Sequence, residues 1–321
     1  MCQLVKMQLI KTQFSGYSVQ FSPFHENLIA VATSQYYGIA GNGRVVVYDL
    51  MRGGLCEFVT RDGCFDVCWS EKNDSILAAA TGDGSLHVFD TSGPVRPVLS
   101  LTGHSAEAYS VDWNAFNRDM LCSASWDKSV RIWDAQVGKC VGKFTHSQIA
   151  YEARWSVKNG AVLASVGGCG NLLIHDHHVR STVCTVKASY GEVLCLDWNK
   201  YNENLIVTGS VDRSVRVWDL RKPSVPVFAA ENGHELAVRR VKFSPHSEDL
   251  IASCSYDMTV KLRSVSTGIG KVFNQHSEFV IGLAWSNLRP NLLASTGWDK
   301  TVAVWNPVDV AQKPTVRLAA A

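Results

Sequence analysis

Apolar and polar residues alternate along this chain in short runs that end in an aromatic, as in YSVDW (Tyr109–Trp113) and VLCLDW (Val193–Trp198). A polar cluster such as NKYNEN (199–204) follows, then a run of small apolar residues such as LIVTGS (205–210). A tight turn carrying Asp then leads into a run ending in Trp-Asp. Alternation over about four to eight residues between turn clusters is the period of a half-buried strand. No stretch keeps a convincing helical period, so the pattern predicts an all-β chain.

The run ending in Trp-Asp recurs. SASWDKSVRIWD (123–134) returns as TGSVDRSVRVWD (208–219), ASTGWDKTVAVWN (294–306) and ATGDGSLHVFD (80–90), with looser copies elsewhere. The penultimate residues of seven copies are Tyr48, Phe89, Trp133, His175, Trp218, Arg263 and Trp305, spaced 41 to 45 residues apart. Each copy has its aromatic-ended first run, closing on Phe21, Trp69, Trp113, Trp155, Trp198, Phe243 and Trp285. A period of roughly 40–45 residues with four strands per unit is that of WD repeats. The sequence therefore predicts one seven-bladed WD-repeat β-propeller over residues 1–321. A ring must close, and the simplest closure uses the N-terminal segment (4–11) as the outer strand of the last blade, leaving 307–321 as a tail.

Composition narrows the function. Hydrophobic residues make up 46 % and charged residues 19 %, which argues for a large core. Lys+Arg 31 against Asp+Glu 29 gives a net charge of +2 with no basic run, so nucleic acid is not an expected partner. No apolar stretch is long enough for a membrane span, and the first residues do not read as a secretory signal. The ten cysteines contain no CxxC and several replace small apolar residues, so they read as reduced thiols.

Ser, His and Asp occur together in unit three (His104, Ser123, Asp127, Trp133), which invites a nucleophilic-catalysis reading. The same set recurs around His276, Ser295, Asp299 and Trp305, and again at His234, Ser253 and Asp257. Catalysis needs such a set once, whereas a structural device is needed in every blade. These residues are therefore expected to form buried hydrogen-bond networks, with no catalytic residue and no cofactor. Unit four departs from the pattern with Cys169 and His175, unit five lacks Gly-His, and unit six has Arg263-Ser264; these blades are expected to be the softest. The run His175–His178 is read as a solvated loop, not a metal site.

The turn holding Asp and the loop entering the first strand open on one face of a WD propeller. Residues before the turn Asp include Trp126, Tyr256 and Trp298. Six positions before the first-strand aromatic stand Glu107 and Glu192, and four before it stand Tyr17, Phe65, Tyr109, Tyr151, Leu194, Arg239 and Ile281. Unit one carries an insertion, SQYYGIAGNG (34–43), that adds Tyr36 and Tyr37 to this face. Aromatic anchors beside a few carboxylates suit an amphipathic peptide carrying a basic residue.

The blocks GYSVQFSPFHEN (16–27), SQYYGIAGNG, FDVCWSE (65–71), NKYNENLIVTGSVD (199–212), VWDLRKPSVPVF (217–228) and VRRVKFSP (238–245) make the chain similar to the receptors for type-2 peroxisomal targeting signals, the peroxin-7 family. The resemblance runs from about residue 17 to 305. It implies a cytosolic receptor that shuttles to the peroxisomal membrane and matrix. Its cargo would be matrix enzymes bearing an N-terminal helical signal: a basic-aliphatic pair, a five-residue spacer, then His or Gln and another apolar residue. It also implies a co-receptor, the long form of peroxin-5 or a peroxin-20-type protein, and docking proteins at the peroxisomal membrane. The assignment of Glu107 and Glu192 to the basic residue comes from blade position alone. A second reading, a substrate adaptor of a cullin-type ubiquitin ligase, rests on Trp218-Asp219-Leu220-Arg221, which is similar to the Trp-Asp-x-Arg box of such adaptors.

Overall fold

A computed structural model describes residues 7–308; part of the tail singled out above, 309–321, lies outside the described residues. Seven four-stranded antiparallel sheets follow one another around a ring. Six are built in chain order from inside to outside. Blade 3, for instance, runs Ala108–Trp113, Met120–Ser125, Ser129–Asp134 and Lys139–Thr145. Blade 7 takes its inner three strands from Val280–Trp285, Leu293–Gly297 and Thr301–Trp305, and its outer strand from Gln8–Lys11, which pairs antiparallel with Thr301–Trp305. Ile10 packs onto Val302 and Val304, and Lys11 Nζ donates to Thr301 Oγ1 at 2.7 Å. The sole helical element among the described residues is a 3-10 turn, Gln35–Gly38.

The core lies between neighbouring blades. Each apolar cluster joins the middle strands of one sheet to the inner strand of the next, as where Val130, Ile132 and Phe144 meet Ala153 and Trp155. Second strands are buried on both faces, which explains their small-residue composition: Ala78–Ala80 and Ser123–Ala124 leave room for the large residues of adjacent sheets. At the seam between blades 7 and 1, a Cβ on Gly282 would lie 2.9 Å from the Ser18 backbone, so glycine there permits the close approach.

The hydrogen-bond networks tie turns to sheets. In blade 3, Trp133 Nε1 donates to Ser123 Oγ at 2.8 Å, Ser123 Oγ lies 2.7 Å from His104 Nε2, and His104 Nδ1 lies 2.9 Å from Asp127. Blades 6 and 7 repeat the His–Asp and His–Ser contacts at 2.8–2.9 Å, with Trp305 Nε1 3.5 Å from Ser295 Oγ. The departing units substitute rather than lose these contacts. In blade 4, Ser165 Oγ stands 2.7 Å from both His146 and His175. In blade 5, Ser189 donates to Asp212. In blade 6, Arg263 Nη2 donates to the Gly233 carbonyl at 2.7 Å. His175 is thus not part of a solvated loop: it is fully buried, stacked on Phe144, and fills the tryptophan's place. His178 alone of that run is exposed. Among the described residues no group of three His, Cys, Asp or Glu side chains could hold a metal ion, and no helix is long and apolar enough to cross a membrane.

Candidate functional site

One local irregularity, repeated seven times, builds the candidate site. In every blade the register between the inner and second strands shifts near the start of the inner strand, after the second pair in blade 1 and after the first pair in the other six, for example between Ala108 and Ser110. The residues set into these shifts are Tyr17, Phe65, Tyr109, Tyr151, Leu194, Arg239 and Ile281. A β-bulge leaves one residue out of the ladder and re-aims its side chain. Because all seven bulges occupy the same blade position, they gather their side chains at one mouth of the central channel.

Four of the seven are aromatic and form a continuous chain. Tyr17 meets Phe65 with ring centroids 5.2 Å apart, Phe65 meets Tyr109 at 5.1 Å, and Tyr109 meets Tyr151 at 6.0 Å. Tyr17, Phe65 and Ile281 form a buried cluster on which Tyr109, Tyr256, Phe279 and Trp298 pack. The turn residues extend this floor outward: Trp126 lies 5.6 Å from Tyr109, and Tyr256 and Trp298 flank Phe279 at 4.9 and 5.2 Å. Trp126, Tyr256, Trp298, Tyr109 and Tyr151 therefore share one surface.

The insertion of unit one reaches the same surface. Tyr36 and Tyr37 both sit at positive φ, 46° and 57°, an unfavourable conformation for bulky residues. It is held by the Tyr17 hydroxyl, which donates to the Tyr37 carbonyl, and by Tyr37 packing on Trp298 at 5.0 Å. Tyr36 has no stacking contact among the described residues and is 67 % exposed.

The two acidic residues occupy the rim. Glu192 accepts a hydrogen bond from the Tyr151 hydroxyl at 3.0 Å, which orients its carboxylate beside the floor. The Glu107 carbonyl accepts from Trp126 N at 3.0 Å, which ties the half-buried Glu107 to the turn that carries Trp126. Neither carboxylate forms an ion pair among the described residues.

Below the floor lies a feature that reading the strands by their aromatic ends did not reveal. Inner-strand residues one and three positions before the aromatic include Asp66, Asp112, Glu152, Arg154, Asp197, Arg240 and Lys242. Arg154 contacts Asp66 at 2.9 Å, Glu152 at 2.6 Å and Asp112 at 3.3 Å; Arg240 contacts Glu152 at 2.6 Å and Asp66 at 3.4 Å. Each carboxylate also accepts a backbone N–H from the next inner strand: Asp66 from Val111, Asp112 from Trp155, Glu152 from Leu196 and Asp197 from Phe243. Inner strands of different blades share no sheet ladder, so these side chains staple them together. Burial raises the Glu152 and Asp66 carboxyls, but Arg154 and Arg240 outweigh it and hold both below the ordinary carboxylate range. On the far side is a cavity of about 480 Å³ lined by Trp69, Trp113, Trp155 and their counterparts.

The adaptor-like box takes a self-contained form. Arg221 forms a two-pronged pair with Asp219 of the same turn, at 2.9 and 2.7 Å.

Comparison with known proteins places this geometry. The family model described as "WD domain, G-beta repeat" matches residues 95–134, 180–219, 226–264 and 269–306. The chain is 45 % identical to the Arabidopsis thaliana peroxisome biogenesis protein 7, an alignment covering 93 % of this chain and 97 % of that one. It is 41 % identical to the Mus musculus peroxisomal targeting signal 2 receptor, over 91 % of this chain and 94 % of the relative. It is 31 % identical to the Saccharomyces cerevisiae protein of the same name, over 91 % and 97 %. With a seven-bladed propeller, WD repeats and full-length relatives of one kind, the chain belongs to the peroxisomal targeting signal 2 receptor family, a family of receptors and not of enzymes.

Proposed function

We propose that this protein is a cytosolic receptor for an N-terminal helical type-2 signal, which it binds across the aromatic floor. The names of its relatives support the receptor role, and the floor made by the seven bulges is the observation that carries the binding mode. A helix with apolar residues on one face offers what Tyr17, Phe65, Tyr109, Trp126, Tyr256 and Trp298 can cover, and its basic residue is a counter-charge for Glu107 and Glu192 at the rim. Tyr37 closes one side of the floor, and Tyr36 extends the rim. The buried networks around His104, Ser123, Asp127 and Trp133, and around His276, Asp299 and Trp305, keep the turns that carry Trp126 and Trp298 in place. On this reading a co-receptor, the long form of peroxin-5 or a peroxin-20-type protein, covers the exposed side of the bound helix. Docking proteins then receive the complex at the peroxisomal membrane, and the receptor shuttles between cytoplasm and peroxisome.

The test is fluorescence anisotropy of a labelled type-2 signal peptide, with and without each candidate co-receptor. Saturable binding, lost when the peptide's basic residue is changed to Glu, is the expected result. A folded protein that binds neither peptide in any condition overturns the proposal.

A further inference from the structure

We propose that Arg239 is a polar reading head set into the aromatic floor, donating hydrogen bonds to an acceptor oxygen or nitrogen on the apolar side of the bound peptide. The inference rests on the receptor reading above and adds a specificity-determining residue to it.

Six of the seven bulge positions carry Tyr, Phe, Leu or Ile; Arg239 is the exception. Its residue is only 3 % exposed, yet among the described residues it makes no ion pair and no side-chain hydrogen bond to a carboxylate or a carbonyl. The other deeply buried arginines are engaged: Arg154 and Arg240 by carboxylates, Arg263 by the Gly233 carbonyl. The Arg239 guanidinium lies over the Tyr109 ring, 4.8 Å from the centroid, and Tyr109 is the side chain that holds it. A buried cation without a hydrogen-bonding partner is costly, and a cation–π contact satisfies the flat face of the group but not its in-plane N–H donors. Those nitrogens are not among the side-chain atoms sealed from solvent without a partner, so they reach the channel mouth. A guanidinium with free donors, fixed on an aromatic wall inside an apolar floor, is a site for a lone-pair acceptor. Its place between the apolar contacts means that the acceptor comes from the buried face of the helix, not from its exposed side. The bound side chain can be an amide or a carboxylate; both offer the acceptor oxygen.

A double-mutant cycle separates these possibilities. Three labelled type-2 signal peptides differ only at the polar residue between their apolar positions: Gln, its apolar near-isostere Met, and its charged isostere Glu. Each is titrated against native protein, Arg239→Met and Arg239→Lys, with thermal melts confirming that the variants are folded. Native protein is expected to bind the Gln peptide about tenfold more tightly than the Met peptide, and Arg239→Met to bind the two equally. Arg239→Lys, which keeps charge and donors, recovers part of the preference and guards against a purely packing effect. Relative binding of the Glu peptide tells whether a carboxylate is accepted as well as an amide. An equal Gln-to-Met loss in native and Arg239→Met proteins overturns the assignment while leaving the receptor reading intact. No binding of the Gln peptide by native protein overturns the receptor reading, and this assignment with it.

Discussion

Trp126 and Tyr36 stand on the same face and offer a ligand different things. Trp126 is 39 % exposed and already ordered against Tyr109, so little conformational freedom is lost when a peptide covers it. Tyr36 is 67 % exposed with no stacking partner among the described residues. Energetic anchors in interfaces are aromatic residues in packed, largely preordered positions. Trp126→Ala is therefore expected to weaken signal-peptide binding about tenfold. Tyr36→Ala should change it less than about threefold. Because Trp126 contributes little to the core, its loss should leave the melting temperature nearly unchanged. Anisotropy titrations alongside thermal melts check both statements. A tenfold loss confined to Tyr36→Ala would place the contact surface on the insertion instead of the floor.

At the scale of strands and blades, the repeat and its strands were legible because each unit repeats its own alternation, and the seven aromatic ends mark the inner strands in register. Counting back from those ends was enough to collect Tyr17, Phe65, Tyr109, Tyr151 and Arg239 as one set. It was not enough to show that they converge, because the bulge that re-aims them is a property of strand pairing and not of composition. The charged belt was hidden for a related reason. Inner propeller strands are buried on both faces, so Asp66 or Arg154 reads as an interruption of a strand until its partner is known, and that partner stands 88 residues away. Blade 4 shows the same limit at His146, which lacks the preceding Gly of Gly103-His104 but makes the equivalent contact to serine.

Blade 4 also carries a pH dependence. Burial lowers the His146 imidazole to about 4; burial, with His146 beside it, lowers His175 to about 3. Both are neutral in the folded protein near neutral pH, whereas in the unfolded chain they take up protons near pH ~6.5. Below that value the unfolded state binds more protons, so stability falls as pH drops through the window from ~6.5 to ~4. His146→Gln retains a hydrogen-bonding partner for Ser165 without titrating, so its melting temperature should fall less between about pH 7 and pH 5 than that of the native protein. Parallel slopes for the two proteins would remove blade 4 as the source.

For the whole molecule, the ring is held by a strand from one end of the described chain and by a belt at its axis. Gln8–Lys11 covers the outer edge of blade 7, and Asp66, Glu152, Arg154 and Arg240 join blades 2, 4 and 6 across the channel. Deleting residues 1–12 exposes the Thr301–Trp305 edge and removes Ile10 from the cluster of blade 7 with blade 1. The deletion is expected to lower the melting temperature by roughly 5 °C or more, measured by differential scanning calorimetry. An unchanged transition would show that the belt and the inner strands alone hold the ring.

This rigid ring matters because it fixes seven bulges and two rim carboxylates relative to one another. The central claim is that an acidic rim around an aromatic floor reads a basic helical signal. A reciprocal charge exchange tests it most directly: anisotropy of the native protein and the Glu107→Lys, Glu192→Lys double variant, each against the native signal peptide and the peptide with its basic residue changed to Glu. The account predicts tight binding of the native pair, about tenfold or greater loss on reversing either side, and substantial recovery when both are reversed. Full-strength binding of the native peptide by the folded double variant, or no recovery with the reversed peptide, would contradict it.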